Sequence, residues 1–328
     1  MDRRVFISKG LTTSLSIPFL SSCNEKSAHP AWQCAYNSDS LETIIAIEGL
    51  TNPLTILQIS DSHISCDNES DREYEIYSAR MNQAYPLVDH YKTCEKVTPM
   101  QCFSDLMELA KKENVDLIAL TGDILNYPSA TAVERVCNLL DDTNIPHIYV
   151  SGNHDWHYEG MPGTADQLRL KWATERLKPL YSGGIFFSSR ILNGINMVVI
   201  DNSTYQINEE QLEFYKQQQA RPEPIMLFAH IPIFMPTLGI CCGHPDWGSD
   251  TDTGYQVERR ERWSENGNKA STTEFVNQVM NTRKLIGIFT GHWHQSRAIK
   301  YQDKIQFIAG AALNGQYRMI RLVPFNVS

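Results

Sequence analysis

The sequence predicts an α/β protein in which stacked, mixed β-sheets are flanked by helices, and three features lead to this prediction. Short apolar runs alternate with amphipathic stretches along most of the chain. Several runs are apolar throughout, as in strands covered on both faces, whereas residues 296–310 alternate in polarity and predict a hairpin around a Gln-Asp turn. With 328 residues, of which 42% are hydrophobic and 20% charged, the chain can bury a substantial core.

The individual elements follow from the same patterns. Ten short apolar or alternating runs are predicted to be strands, namely residues 43–49, 54–60, 115–122, 146–152, 184–190, 195–202, 225–231, 285–291, 296–301 and 304–310. Five amphipathic stretches are predicted to be helices, namely residues 103–114, 131–142, 165–178, 208–219 and 271–282. Two long polar insertions, 65–101 and 232–270, interrupt the pattern, and insertions of that length in a compact domain are usually functional or disordered.

Five of the predicted strands end with, or are followed at once by, side chains with oxygen or imidazole donors. In chain order these are Asp61 and His63, then Asp123, then Asn153, His154 and Asp155, then His230, and finally His292 and His294. Residues at the carboxyl ends of strands converge on one rim of an open α/β sheet, where ligands bind. Each group alone is also compatible with an ordinary turn. The ordered set predicts a metal site, helped by Gly122, Gly152 and Gly291, which allow close backbone approach.

These blocks read D-x-H, G-D, G-N-H-D, H and G-H-x-H between residues 61 and 294, and in this the sequence resembles the calcineurin-like metallophosphoesterases. The resemblance implies a four-layer α/β/β/α sandwich with a metal site at the carboxyl ends of strands. It also implies two divalent ions, and imidazole and oxygen ligands without thiolate suit manganese, iron or zinc. Carried over position by position, one ion is held by Asp61, His63 and His294, the other by Asn153, His230 and His292, and Asp123 bridges them.

The same resemblance implies the reaction. A metal-bridging hydroxide attacks the phosphorus of a small phosphate ester, either a phosphodiester or a nucleotide-like molecule. His154 contacts the phosphate or protonates the leaving group, and Asp155 fixes the tautomer of His154. Purple acid phosphatases carry a tyrosine ligand in G-D-x-x-Y, and Tyr127 falls one position too late for that subtype.

The amino terminus predicts export. Residues 1–22 contain a cationic segment and a short apolar stretch, typical of a signal peptide, and "FLSSC" resembles a lipobox that would make Cys23 the lipidated first residue. The Arg-Arg pair is either a twin-arginine signal or simply charge. We therefore expect an extracytoplasmic protein anchored to a bacterial membrane through lipid. Residues 23–40 are predicted to be a tether and residues 41–328 the catalytic domain.

The insertions and cysteines leave the substrate open. In residues 232–270, Trp247, Tyr255 and Trp263 could stack on a base and Arg259, Arg260 or Arg262 could grip a second phosphate, or this insertion is only a solvated loop. The net charge of −9 argues against a nucleic-acid groove. Disulfides are conceivable around residues 66–102. His157 and His244 lie outside the blocks and are expected at the surface.

Two other classes of function compete with the enzyme. One is a lipoprotein that keeps this fold as a non-catalytic scaffold, and the other is a periplasmic metal-binding protein without turnover. The loss of a ligand would have favoured the scaffold, and every block is present. The oligomeric state cannot be read from the sequence.

Overall fold

The computed structural model describes residues 32–248 and 267–325. In those residues the strands are β1 (Cys34–Ser38), β2 (Glu42–Ile47), β3 (Leu54–Ile59), β4 (Val88–Asp89), β5 (Lys96–Val97), β6 (Leu117–Thr121), β7 (His147–Val150), β8 (Phe187–Leu192), β9 (Ile195–Ile200), β10 (Ile225–Phe228), β11 (Leu285–Thr290), β12 (Arg297–Tyr301), β13 (Lys304–Ile308) and β14 (Arg318–Pro324). The α-helices are α1 (Glu75–Met81), α2 (Pro99–Lys112), α3 (Ala130–Asp141), α4 (Ala165–Glu175), α5 (Glu209–Ala220) and α6 (Ala270–Asn281).

All ten predicted strands and all five predicted helices are present, with small shifts at their ends. The sequence patterns missed β1 and β14, together with α1 and the short β4–β5 pair inside the first insertion. Residues 34–38 belong to the predicted tether, but in the structure they form β1 and pair with β2 at the edge of a sheet. Their sequence, CAYNS, is too short and polar to be recognised as a strand without its partner.

The two large sheets are both mixed. The first sheet has the order β1-β2-β14-β3-β6-β7 and the second β12-β13-β11-β10-β9-β8. In the first sheet β3, β6 and β7 run parallel to one another. In the second, β9, β10 and β11 are parallel, and β12 and β13 form the predicted antiparallel hairpin. Parallel neighbours bring the carboxyl ends of their strands to one edge.

Three apolar clusters define the layers. Side chains of the two sheets, among them Ile56 and Leu117 from the first and Phe228 and Phe289 from the second, pack against one another in the centre. Helices α2, α3 and α4 cover the outer face of the first sheet, and α5 and α6 cover the outer face of the second. This arrangement confirms the predicted α/β/β/α sandwich and explains the fully apolar strands, since their two faces are both buried.

The first insertion is folded onto the domain. Asp71, in a 3-10 helix spanning Glu69–Tyr74, is buried and accepts a hydrogen bond from the backbone N–H of Ala130 at 2.8 Å. It also pairs with Arg176 at 2.7 Å. The carboxylate therefore caps the first turn of α3 and ties the insertion to the helical layer. Because the cysteines of the described residues are all free thiols, the disulfide suggested for this insertion is not formed.

Several predictions concern residues outside the described part. These are the signal peptide at 1–22, the lipidation of Cys23, the first half of the tether, and the Tyr255, Arg259, Arg260, Arg262 and Trp263 side chains of the second insertion. Within the described residues, no helix has both the length and the apolar character needed to cross a membrane.

Candidate metal centre

The predicted site residues converge on the seam between the two sheets. Asp61 and His63 follow β3 and Asp123 follows β6, and Asn153 and His154 follow β7, so the first sheet supplies both carboxylates. The second sheet supplies only imidazoles, with His230 after β10 and His292 and His294 after β11. Five strand ends from two sheets therefore meet at one edge of the sandwich.

Three groups of side chains could each hold a metal ion, because within each group the ligand atoms lie within 4.8 Å of one another. The first group is Asp61, His63 and His294, the second is His63, Asp123 and His154, and the third is Asp123, His230 and His292. The first group is the set predicted for one ion, and the third is the set predicted for the other ion without Asn153. Asp123 belongs to the third group and lies 3.9 Å from His63 of the first. Asn153 is fully buried beside Gly152 and His154. The backbone N–H of His154 donates to Asp123 Oδ1 at 2.8 Å, which brings this loop against the bridging position.

Glycine is required where the strand ends approach most closely. A Cβ atom on Gly122 would lie 2.8 Å from the backbone nitrogen of Gly152, and the φ of Gly122 is +88°. A Cβ atom on Gly291 would lie 2.5 Å from Asp61 Oδ2. Real Cβ atoms do not tolerate such contacts, so these two glycines let the backbones pass close together, as the sequence predicted.

The backbone at the site is strained. Five of the seven predicted ligands have left-handed φ angles between +45° and +71°, and these are Asp61, His63, Asp123, His292 and His294. Aspartate and histidine adopt this region more readily than most residues, yet each instance still costs roughly 1–3 kcal/mol. Such strain persists only where the surrounding structure fixes it, and here it turns alternate side chains of two strand ends toward one point.

Hydrogen bonds select which imidazole nitrogen can bind a metal. His230 Nδ1 lies 2.8 Å from the backbone carbonyl of Thr121, so Nδ1–H donates there and Nε2 faces Asp123 Oδ2 at 3.3 Å. His292 Nε2 lies 2.7 Å from the hydroxyl of Tyr205. Holding one nitrogen of a ligating histidine fixes its tautomer and its ring orientation.

The buried carboxylates of the centre favour the binding of cations. Asp61 and Asp123 are buried, and the groups that pair with them are imidazoles. Burial opposes the ionisation of Asp123, but His230 and His154 outweigh it and hold the pKa of Asp123 well below its usual range. Burial alone would lower the pKa of His230, yet Asp123 and Asp61 raise it to about 10. Burial lowers the pKa of His63 to about 4, so this imidazole is neutral and keeps a lone pair.

The donor set fits a pair of divalent ions. Two buried carboxylates need compensating positive charge, and metal ions can replace the proton that His230 otherwise holds. His63 Nε2 and His294 Nε2 face each other at 3.0 Å, and His294 Nε2 also lies 3.4 Å from Asp61 Oδ1. Convergence of imidazole nitrogens and carboxylate oxygens without a thiolate suits manganese, iron or zinc.

One predicted role is corrected. Asp155 was expected to orient His154, but its two carboxylate oxygens accept the backbone N–H groups of Leu125 and Gly152, each at 2.7 Å. The Nδ1 of His154 lies 3.3 Å from the carbonyl of Asn126, which is therefore the group placed to fix the tautomer. Burial and the nearby Asp123 raise the pKa of Asp155 to about 7. Asp155 thus ties the β6 and β7 loops together.

Two aromatic predictions also change. Trp247 is buried and stacks on Tyr205, with ring centroids 4.1 Å apart, so it is not placed to stack on a base. His157, expected at the surface, is buried as well. The first insertion reaches the site instead, because the ring of Tyr85 lies 4.9 Å from that of His63.

Sequence patterns missed the residues that hold the ligands in place. Asn126, Asn202 and Tyr205 lie in turns, and their partners at the site are far away in the chain. No periodicity or spacing marks such residues, because polar turn residues are common. The only local signal is that of Asn202, which is the last residue of the predicted strand 195–202 and in this resembles the ligands at the other strand ends.

The exposure of the site residues defines a side from which a substrate can approach. Asp61, His63, Asp123, Asn153 and His230 are buried. His154, His292 and His294 are partly exposed. An anion arriving from this side would meet imidazoles first and the buried carboxylates last.

A family model described as calcineurin-like phosphoesterase matches residues 54–296. A protein of Fibrobacter succinogenes named "Probable cyclic nucleotide phosphodiesterase" is 24% identical over 256 residues, covering 78% of each chain. A protein of Pongo abelii named serine/threonine-protein phosphatase CPPED1 is 23% identical over 201 residues, covering 60% of this chain and 56% of the relative.

Among solved structures, a dimetal phosphatase from Danio rerio superimposes with a TM-score of 0.52 at 12% identity. The alignment covers 83% of this chain and 94% of the phosphatase. At that identity the likeness concerns the fold, and it agrees with the four layers described above.

Proposed function

The chain belongs to the calcineurin-like phosphoesterase family and is a metal-dependent phosphoric ester hydrolase. We propose that it hydrolyses small phosphodiesters or nucleotide-like esters at a centre of two divalent ions. The observation that carries the proposal is that Asp123 belongs to the ligand group with His230 and His292 and lies 3.9 Å from His63 of the other group. The name of the Fibrobacter relative, which covers most of the chain, favours a cyclic or other diester over a phosphoprotein.

Seven residues of the site would hold the two ions. Asp61, His63 and His294 would hold one ion, Asn153, His230 and His292 the other, and Asp123 would contact both. When bound, such ions polarise the phosphate and lower the pKa of water, so that a nucleophile exists near neutral pH. With two ions against two carboxylates, the centre has a net positive charge and attracts a phosphate anion.

His154 is the group placed to handle a proton. It is partly exposed on the approach side, and its Nδ1 faces the carbonyl of Asn126. If Nδ1–H donates to that carbonyl, a protonated His154 presents Nε2–H to the leaving oxygen of the ester. General acid catalysis of this kind typically contributes about 100-fold or more.

The test compares metal content and hydrolysis in the same preparations. Wild type, Asp123→Ala, His154→Ala and the exposed control Asp303→Ala would be analysed for bound manganese, iron and zinc. Each would be assayed with bis(p-nitrophenyl) phosphate, p-nitrophenyl phosphate and a cyclic nucleotide. We expect Asp123→Ala to lose metal and activity together, His154→Ala to keep metal but lose about 100-fold in turnover, and Asp303→Ala to behave like wild type.

The competing functions make different predictions in the same assay. Wild-type protein that binds two ions but cleaves no ester would favour a metal-binding scaffold over an enzyme. Cleavage of the monoester at a much higher rate than the diester would replace the proposed substrate class with a phosphomonoester. If His154→Ala hydrolyses like wild type, the proton-donor assignment is wrong.

We also propose that the protein is exported and held at a bacterial membrane by acylation of Cys23. The support is the signal-like segment and lipobox of residues 1–23. Replacing Cys23 with alanine should move the protein from the membrane fraction to the soluble fraction without changing its turnover in detergent extracts. Retention of the Cys23→Ala protein in membranes would contradict the lipid anchor.

A further inference from the structure

We propose that Tyr205 is a positioning residue that directs His292 toward one of the two metal ions, and this proposal rests on the ligand set of the proposed function. The hydroxyl of Tyr205 lies 2.7 Å from His292 Nε2. Because this nitrogen is engaged, Nδ1 is left as the ligand atom. If Nδ1 held a metal ion, Nε2 would carry the ring proton, and Nε2–H would donate a hydrogen bond to the tyrosine oxygen.

Tyr205 is itself held rigidly. Its ring stacks on Trp247 with an interplanar angle of 15° and centroids 4.1 Å apart, and both side chains are buried. Its backbone has a left-handed φ of +63° and its N–H donates to the carbonyl of Asn202 at 2.7 Å. A hydroxyl fixed in this way can orient an imidazole, because little conformational freedom is left to lose.

The same turn also holds the second histidine of this ligand group. Asn202 Oδ1 accepts the backbone N–H of His230 at 3.1 Å and that of Ile231 at 3.0 Å. Asn202 Nδ2 donates to the carbonyl of Ile231 at 2.7 Å. Residues 202–205, which we call the positioning turn, therefore contact both His230 and His292.

The positioning turn serves one half of the centre. The group formed by Asp61, His63 and His294 is joined by direct contacts among its own members. The turn contacts the Asp123, His230 and His292 group. Loss of the Tyr205 hydroxyl should therefore weaken one metal-binding event and spare the other.

The test is a metal titration of the Tyr205→Phe variant, which keeps the ring that stacks on Trp247. A matched control is Tyr215→Phe, because Tyr215 is equally buried and, among the described residues, its hydroxyl has no hydrogen-bond partner. Mn²⁺ would be added to metal-free protein, with calorimetry and electron paramagnetic resonance used to separate the two binding events. Melting temperatures of the metal-free variants would be measured in parallel.

For Tyr205→Phe we expect one of the two Mn²⁺ affinities to fall about 10- to 100-fold and the other to stay within about twofold. At limiting metal, the spectrum of a spin-coupled Mn²⁺ pair should be replaced by that of single ions. Tyr215→Phe should titrate like wild type. Two unchanged affinities in Tyr205→Phe would overturn the proposal, and equal loss of both with a lowered melting temperature would make Tyr205 merely structural. A wild-type protein that binds no Mn²⁺ pair would instead reject the ligand set, and with it the proposed function.

Discussion

The two sides of the metal centre are held in place by different means. On the rim formed by the first sheet, the backbone N–H groups of Asp61 and His63 donate to the backbone carbonyls of Gly122 and Asp123, each at 2.9 Å. The pairing of β3 with β6 thus continues past the ends of both strands, and an isolated bridge between Ile64 and Leu125 extends it further.

On the rim of the second sheet, the corresponding groups depend on side chains. The backbone N–H of His230 donates to Asn202 Oδ1 at 3.1 Å, and that of His292 donates to the Asp61 carboxylate at 2.9 Å. Asp61, His63 and Asp123 are thus joined by backbone pairing, whereas the N–H groups of His230 and His292 are held by side chains, beside one backbone bond from the N–H of Gly291 to the carbonyl of His230 at 2.9 Å. Substitutions that remove one supporting side chain should therefore displace His230 and His292 more than Asp61 and His63, except where the two rims touch.

The largest effect is expected at that point of contact. In Gly291→Ala the new Cβ would lie 2.5 Å from Asp61 Oδ2 and would also collide with Ser60, so the rims must separate. A displacement of about 1 Å at the reacting centre can cost about 100-fold in rate. We expect kcat/KM to fall by at least about that factor and the affinity for both ions to drop. Steady-state kinetics and metal analysis would measure this.

The control for this variant is Gly239→Ala, an exposed glycine at which a new Cβ would have no neighbouring atom of the described residues within 4 Å. It should retain wild-type turnover and metal content. If Gly291→Ala is as active as Gly239→Ala, the rims tolerate separation and the close approach of Gly291 to Asp61 has no role in the centre.

The next largest effect should come from the positioning turn. Asn202→Ala removes three buried hydrogen bonds, two of which hold the backbone N–H groups of His230 and Ile231. Leaving such groups unsatisfied should lower the free energy of unfolding by about 3 kcal/mol. One metal affinity should fall as well, since His230 belongs to one ligand group. Denaturant unfolding of metal-free protein and Mn²⁺ titration would check both.

The matched control lies in β9, the strand that precedes Asn202. Asn196 is equally buried at the start of β9, and its Nδ2 donates to Gln218 Oε1 at 3.1 Å, away from the ligands. Asn196→Ala should lower the free energy of unfolding by about 1–2 kcal/mol and leave both metal affinities unchanged. Loss of metal in Asn196→Ala would mean that β9 acts through general stability rather than through Asn202.

The contrast between the rims also explains what the sequence could predict. The ligand-bearing strand ends have a local signature, an apolar run followed by glycine, aspartate or histidine, and all five were found. The residues that hold them have none. Tyr205 and His292 are 87 positions apart, so their hydrogen bond exists only once both sheets have formed.

Strand β14 was missed in the sequence because it, too, depends on partners that are distant in the chain. Its two arginines interrupt the apolar run, so RMIRLVP does not have the pattern of a buried strand. Arg318 is nevertheless buried, because its guanidinium donates to Thr43 at 2.8 Å, to Ser296 at 2.6 Å and to the carbonyl of Ile308 at 3.1 Å. Those acceptors come from distant segments, and only the assembled structure brings them together.

A smaller effect is expected from removing the metal ions. Ions that bind only the native state stabilise it by about 2.7 kcal/mol at a hundredfold excess over Kd. Chelation should therefore increase amide hydrogen exchange, and we expect the increase to be concentrated at residues 230–231 and 291–294. The amides of Asp61, His63, Ile64 and Asn126, which donate to backbone carbonyls, should stay protected. Exchange that rises equally on both rims would show that the two rims do not differ in how they are held.

The smallest effect should be that of a side-chain deletion on the first rim. Ser60 lies directly before Asp61, is buried, and donates to the backbone carbonyl of Thr121 at 2.9 Å. Ser60→Ala removes this bond, but the backbone bonds of Asp61 and His63 to the β6 loop remain. The free energy of unfolding should fall by about 1 kcal/mol, with both Mn²⁺ affinities within about twofold of wild type. If Ser60→Ala instead lost an ion as Asn202→Ala is expected to, then the first rim would also depend on single side chains, and backbone pairing would not be what fixes Asp61 in place.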